Sequence, residues 1–182
     1  MNSDISVVEV ITNGPDGYPS DGIVQIAVTE IGRGGDVVSS LFETVKSDTD
    51  RWTQLEREYV RSKVSPEDIA NGVDAVTASA DLKKVLAGKD VTSFDVSNTF
   101  NGYLIYEPWD LTHEVSVLPS VGSRLPGNLR SGRPYSENSR INKAYSSMYP
   151  DDEPAVGDGN TALDYALRTS YIILKMKDAG LY

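Results

Sequence analysis

The chain opens with three runs of apolar and β-branched residues, at 5–11, 22–31 and 36–45, which are separated by turn-forming segments. Such runs are typical of β-strands, and short turns between them favour antiparallel pairing in a meander. The first run is apolar enough to lie in the middle of a sheet with both faces covered. It carries a single acid, Glu9, which is costly to bury without a partner or a metal ion.

Further along the chain, apolar positions recur at helical spacing. Caps, prolines and apolar stripes predict helices at residues 65–71, 77–87, 98–106, 136–148 and 160–179. Strands are predicted at 90–94 and 115–118, and the remainder of 110–135 is predicted as loop because it is rich in proline and glycine. This order predicts one α/β domain over residues 1–182, with a mixed sheet flanked by helices.

Length and composition narrow the possible functions. A chain of 182 residues can bury a full core, and its formal charge of −10 argues against a broad phosphate-binding surface. It has no cysteine, which excludes disulfides and thiolate metal sites. The first residues lack a secretion-signal pattern, and no apolar run approaches the roughly 20 residues of a membrane helix. We therefore expect a soluble cytoplasmic protein with no membrane partner.

One segment is basic, although the chain as a whole is acidic. Between residues 124 and 143 there are five cations and one acid, which gives a local charge of +4. One interpretation is a solvated loop and helix face, and the other is a set of contacts to phosphates. The cations are Arg124, Arg130, Arg133, Arg140 and Lys143.

Three stretches together resemble the DEDDh-type 3′–5′ exonucleases of the ribonuclease H-like superfamily. Residues 7–14 are in register with the first family motif, hydrophobic-hydrophobic-Asp-x-Glu-Thr-Thr-Gly. Residues 92–104 resemble the second, Thr-Ser-Tyr-Asn-x-x-Phe-Asp, and residues 160–166 resemble the third, His-x-Ala-Leu-x-Asp-Ala. The resemblance implies a ribonuclease H-like mixed β-sheet, with an antiparallel meander plus parallel strands, flanked by α-helices.

The resemblance also implies a site where two divalent ions, Mg²⁺ or Mn²⁺, hydrolyse phosphodiesters. Matched position by position, the family's metal ligands and general base fall on Glu9, Ile11, Thr99, Asn160 and Tyr165. Ile11 offers no oxygen ligand, and Asn160 cannot accept a proton near neutral pH. We therefore predict a catalytically inactive exonuclease homologue without a cofactor.

An alternative is an active metal-dependent 3′–5′ exonuclease with a displaced site built on Glu9, Asp95 and Asp164. Asp95 falls on the asparagine position of the second motif. Asp164 precedes the matched position Tyr165 by one residue, about 100° around the helix, so we expect it to point away from the catalytic edge and towards solvent.

Other interpretations also follow from the residues. The single histidine, His113, lies in a loop outside the motifs, where a solvated surface position is favoured over a catalytic one. The resemblance could also be accidental, which a structure without pairing between residues 5–11 and 22–31 would support.

An inactive homologue still has a groove in which a ligand can bind. The groove would hold a single-stranded nucleic acid end, with the basic segment supplying phosphate contacts, or a protein partner, which the acidic overall charge tolerates better. In either case we expect hydrogen bonds to hold Glu9, with the hydroxyls of Thr99 and Tyr165 as the candidate donors.

Overall fold

A five-stranded mixed sheet forms the centre of the fold. The structure is a computed structural model and describes residues 4–61, 63–130, 137–150, 156 and 160–182. The strands are β1 (Ile5–Thr12), β2 (Ile23–Ile31), β3 (Val37–Thr44), β4 (Asp90–Thr92) and β5 (Ser116–Val117). They lie in the order β3-β2-β1-β4-β5, with β1–β2 and β2–β3 antiparallel and β1–β4 and β4–β5 parallel. The predicted meander with added parallel strands is confirmed.

The helices flank this sheet. They are α1 (Gln54–Arg61), α2 (Pro66–Ala70), α3 (Ala75–Leu86), α4 (Val121–Arg124), α5 (Gly127–Arg130), α6 (Glu137–Met148) and α7 (Ala162–Asp178). The helices predicted at 65–71, 77–87, 136–148 and 160–179 are confirmed apart from their ends. The loop prediction for 110–135 is wrong where α4 and α5 form, and α1 was not predicted. In the described part of the chain, no helix is long and apolar enough to cross a membrane.

The helix that follows β4 is of the π type, over Ser97–Leu104. Just past its end, the Ile105 N–H donates to the Phe100 carbonyl five residues earlier, at 3.1 Å. This helix buries Phe100 and Leu104 against the sheet, and Trp109 is buried after it. The sequence predicted a helix at 98–106 but not its wider turn.

The central strand β1 has one apolar layer on each face, as its composition predicted. Val7 and Ile11 belong to the layer that contains α7, whereas Val8 belongs to the layer that contains α3. Side chains alternate between the two faces of a strand, so Glu9 lies on the same face as Val7 and Ile11. Glu9 is therefore directed into the α7 layer.

The edge strand β3 carries an acid whose surroundings are unfavourable to its charge. Glu43 is half-buried, and its Oε2 is a buried oxygen with no hydrogen-bond partner among the described residues. Desolvation raises the pKa of Glu43 above its ordinary value of 4.5, and the negative charge of Asp81 raises it further.

We expect Glu43→Gln to stabilise the fold at neutral pH. In the pH window above 4.5 the unfolded chain binds fewer protons than the folded chain, so stability falls as the pH rises through this window. The gain will be less than about 1 kcal/mol because solvent screens the half-buried group. Urea titrations at several pH values measure it, with the exposed acid substitution Glu58→Gln as control. An equal effect of both substitutions would contradict the role assigned to Glu43.

Candidate functional site

Glu9 lies in the middle of β1 and is 3% exposed. Its Oε1 accepts a hydrogen bond from the Phe94 N–H at 2.7 Å and another from the Thr169 hydroxyl at 2.9 Å. These two hydrogen bonds satisfy a buried polar oxygen that would be costly to bury without partners. The Glu9 carboxylate therefore connects the central strand to the segment after β4 and to α7.

The expected Tyr165 donor to Glu9 needs correction, because the Tyr165 hydroxyl donates to Asn160 Oδ1. A hydroxyl that does donate to Glu9 is that of Thr169, which lies one helical turn beyond Tyr165 and so shares its face of α7. The Phe94 N–H follows from the parallel pairing of β1 and β4, because the register pairs Val7 with Thr92 and brings Phe94 opposite Glu9 two residues later. The sequence held no direct signal for this backbone donor.

Ile11 occupies the position matched to the second carboxylate of the first motif. Its side chain is 2% exposed and belongs to the same apolar cluster as Phe94, Ala162 and Tyr165. A hydrocarbon thus fills the place next to Glu9 on this face of β1. The surroundings of Ile11 between β1 and α7 are therefore apolar.

Asn160 and Tyr165, matched to the general base and the last carboxylate, contact each other. The Tyr165 hydroxyl donates to Asn160 Oδ1 at 3.0 Å, with the Tyr165 ring buried and Asn160 exposed. The Arg168 guanidinium lies 5.9 Å from the centre of the Tyr165 ring. Thr99, the fifth matched position, is buried in the π-helix.

Asp164 caps the N-terminus of α7. Its Oδ2 accepts from the Thr161 N–H at 3.0 Å and from the Thr161 hydroxyl at 2.7 Å, while the Asp164 N–H donates to the Thr161 hydroxyl oxygen at 3.2 Å. This reciprocal arrangement is a capping box. The expectation that Asp164 faces solvent is wrong, since the residue is 7% exposed. The Thr-x-x-Asp spacing was the sequence signal for this role.

Asp95 lies beside a cation from the basic segment. Its Oδ2 is 3.6 Å from Arg140 Nη1, and its Oδ1 accepts from the Asn98 N–H at 3.3 Å. The Arg140 guanidinium also lies 5.3 Å from the centre of the Phe94 ring. Arg140 is therefore the member of the basic segment that the structure places next to the Glu9 site.

Three other cations of that segment are described by the structure, and all three are exposed. Arg124, Arg130 and Lys143 are exposed on α4, α5 and α6, and Arg133 lies outside the described residues. Together with Lys177, Arg124 lines a cavity of about 480 Å³. His113 is exposed in the loop before β5.

The described residues around Glu9 do not fit a pair of metal ions. Two-metal hydrolysis requires several carboxylates that converge from different elements. Over the ranges that the structure describes, no three His, Cys, Asp or Glu side chains lie close enough together to hold a metal ion, so Glu9, Asp95 and Asp164 are not brought together. The groups identified around Glu9 Oε1 are hydrogen-bond donors, and Ile11 offers no ligand.

Solved structures of 3′-exonucleases have the same fold. The chain is similar to cell-death related nuclease 4 (CRN-4), with a TM-score of 0.63 and 11% identity over 98% of this chain and 64% of that one. For Exonuclease I the TM-score is 0.65, with 15% identity over 98% of this chain and 42% of that one. For a 3′-exonuclease that recognises histone mRNA stem-loop, the TM-score is 0.61, with 11% identity over 99% of this chain and 84% of that one.

These likenesses establish the fold as the α/β, ribonuclease H-like fold of 3′-exonucleases. No protein-family model matches the chain, and no curated protein matches it either. The chain spans less than two thirds of the length of CRN-4 and of Exonuclease I. At identities of 11% to 15%, these comparisons show a shared fold but do not show a shared reaction.

Proposed function

We propose that this chain is an exonuclease-fold domain that has lost the two-metal reaction and binds single-stranded nucleic acid without cutting it. The observation that carries the proposal is the packing of Ile11 in an apolar cluster beside Glu9, where the first motif of the resembling family has a second carboxylate. A hydrocarbon in this place cannot coordinate Mg²⁺ or Mn²⁺.

The other matched positions support the loss of the reaction. Asn160 accepts a hydrogen bond from Tyr165, and neither side chain can serve as a general base near neutral pH. Asp164, which could have replaced a lost carboxylate, is committed to the capping box of α7. Asp95 faces Arg140.

The basic segment supports nucleic acid as the ligand. Two of its exposed cations, Arg124 and Lys143, lie on α4 and α6, which both pack against α7, the helix that supplies Thr169 to Glu9. E. coli Exonuclease I, a protein of the same fold, has been solved in complex with a dA16 oligonucleotide. Lysine and arginine side chains along a groove are the usual way to hold the backbone of a single strand.

A protein partner is the second candidate, and the formal charge of −10 favours it. Strong acidity repels a phosphate backbone everywhere except at the basic segment. Exonuclease I, of which this chain covers 43%, has also been solved in complex with SSB-Ct.

We expect labelled oligo-dT and oligo-U to bind the purified protein and to remain intact in the presence of Mg²⁺ or Mn²⁺. Each phosphate contact lowers the slope of log affinity against log salt by about 0.7 for a single strand. The double substitution Arg124→Gln/Arg130→Gln removes two such contacts and should therefore flatten the slope by about 1.4 units. Arg33→Gln, an exposed arginine in the β2–β3 turn, is the matched control.

Three outcomes separate the candidates. Cleavage that disappears in Glu9→Gln would overturn the proposed loss of activity and favour the displaced site. Absence of binding at low salt would exclude nucleic acid and leave the protein partner. Binding that is equally sensitive to Arg33→Gln would show that the basic segment is not the binding surface.

A further inference from the structure

Arg140, on α6, is held from two sides next to the Glu9 site. Its guanidinium lies 5.3 Å from the centre of the Phe94 ring, and the Phe94 N–H is the one that donates to Glu9. An aromatic ring at this distance attracts a cation. At Gly122, on α4, a Cβ atom would lie 3.2 Å from Arg140 Nη2, so the missing side chain leaves room for the guanidinium. The Phe94 ring and the Gly122 backbone therefore hold this arginine in place.

The segment that carries Phe94 and Asp95 is itself attached to α4. The Gly122 N–H donates to the Phe94 carbonyl at 2.9 Å, and the Val96 N–H donates to the Ser120 hydroxyl oxygen at 2.9 Å. Asp95 thus lies between two residues whose backbones are anchored. Its carboxylate is therefore kept beside the guanidinium.

The ion pair between Asp95 and Arg140 leaves much of the guanidinium available. Asp95 Oδ2 lies 3.6 Å from Arg140 Nη1, which is longer than the roughly 2.7–2.9 Å of a close hydrogen bond between charged groups. The guanidinium has further N–H donors in a planar fork. The side chains of Arg140 and Asp95 are 36% and 31% exposed, so a ligand can reach the pair from solvent.

A guanidinium held in this way suits a phosphate group. Its fork matches two phosphate oxygens, and a side chain that is already held loses little conformational freedom on binding. Asp95 opposes this contact, because its negative charge balances that of Arg140 and repels the phosphate. A phosphate therefore gains the full attraction of Arg140 only when the ion pair opens.

We propose that Arg140 binds a backbone phosphate of single-stranded nucleic acid at the Glu9 site, and that Asp95 competes with this phosphate for the guanidinium. The inference rests on the proposed function and adds to it an internal competitor that limits affinity. The ring of Phe94 and the gap at Gly122 keep Arg140 in position without Asp95. Removing the acid should therefore strengthen binding.

The test is a titration of labelled oligo-dT with the full chain at low salt, followed by fluorescence anisotropy. We expect Asp95→Asn to raise the affinity about threefold, which is the scale of an exposed ion pair. Arg140→Gln should lower the affinity and flatten the slope of log affinity against log salt by about 0.7. Glu58→Gln, at an exposed acid on α1, is the matched control because it changes the net charge as Asp95→Asn does. It should leave the affinity nearly unchanged.

The double variant Asp95→Asn/Arg140→Gln separates competition from general repulsion. Where Asp95 acts by pairing with Arg140, removing its charge should have little effect once the arginine is absent. A gain from Asp95→Asn that persists in full in the Arg140→Gln background would show that Asp95 only repels the ligand. That result would overturn the proposed competition.

The remaining outcomes distinguish this inference from the function on which it rests. Absence of oligo-dT binding by the unsubstituted chain and by Asp95→Asn would overturn both. Binding that Arg140→Gln leaves unchanged, or equal gains in Asp95→Asn and Glu58→Gln, would overturn the inference and leave nucleic-acid binding standing. Urea unfolding checks that each variant folds. Arg140→Lys, which keeps the charge but loses the planar fork, is the second variant and should also lower the affinity.

Discussion

Replacing Glu9 by leucine is expected to lower the free energy of unfolding by about 3 kcal/mol. The substitution leaves the Phe94 N–H and the Thr169 hydroxyl without the acceptor that now binds both. Both residues are fully buried, so water cannot replace the lost oxygen. A buried donor without a partner costs about 1–3 kcal/mol. The combined cost of the two unpaired donors is partly offset because leucine buries additional hydrocarbon.

Glu9→Gln is the matched control for this prediction, because it keeps an oxygen at the same length of side chain. We expect it to cost about 1 kcal/mol, because the oxygen acceptor is kept while the new amide nitrogen brings buried N–H donors that need partners. Urea unfolding at neutral pH measures both variants. Thr169→Val removes one donor and completes a double-mutant cycle with Glu9→Leu, in which the two losses should not add. Equal stability of the leucine and glutamine variants would show that the hydrogen bonds to Glu9 do not stabilise the fold.

The pattern of β1 was sufficient to predict the centre of the fold. Its continuous apolar run indicated a strand covered on both faces, and the motif spacing indicated the elements that pack around it. The alternation of side chains even predicts that Glu9, Val7 and Ile11 share a face. These features are local and periodic, so they can be read directly from the sequence.

The partners of Glu9 could not be predicted, because they depend on how distant elements meet. The Phe94 N–H is brought to Glu9 by the register of a parallel strand pair, and Thr169 by the rotation of α7 about its axis. Neither is visible in a sequence pattern. By contrast, α1 had a usable signal, since Thr53 and Glu56 form reciprocal hydrogen bonds at its start. Helices of four residues such as α4 and α5 are too short to show a period.

Introducing a carboxylate at position 11 is expected to destabilise the fold by about 4 kcal/mol at neutral pH. Ile11→Glu restores the acid of the first motif, but it places a charge in an apolar cluster next to Glu9, on the same face of β1. Burial raises the pKa of the new acid above its unfolded value of about 4.3, so the loss should shrink as the pH falls towards that value. Ile11→Gln measures the cost of burying a polar group without a charge. Ile11→Val measures the cost of lost side-chain volume, so the remaining loss in Ile11→Glu is the cost of the charge.

The same variant tests whether the site retains any capacity for cations. A ligand that binds only the folded state stabilises it in proportion to the logarithm of its concentration over its dissociation constant. With the carboxylates of positions 95 and 164 facing Arg140 and Thr161, we expect millimolar Mn²⁺ to stabilise Ile11→Glu no more than the unsubstituted chain. Recovery of the lost stability in Mn²⁺ would mean that one substitution is enough to rebuild a metal site. The proposed loss of the reaction would then rest on Ile11 alone, and not on the rearrangement of the surrounding donors.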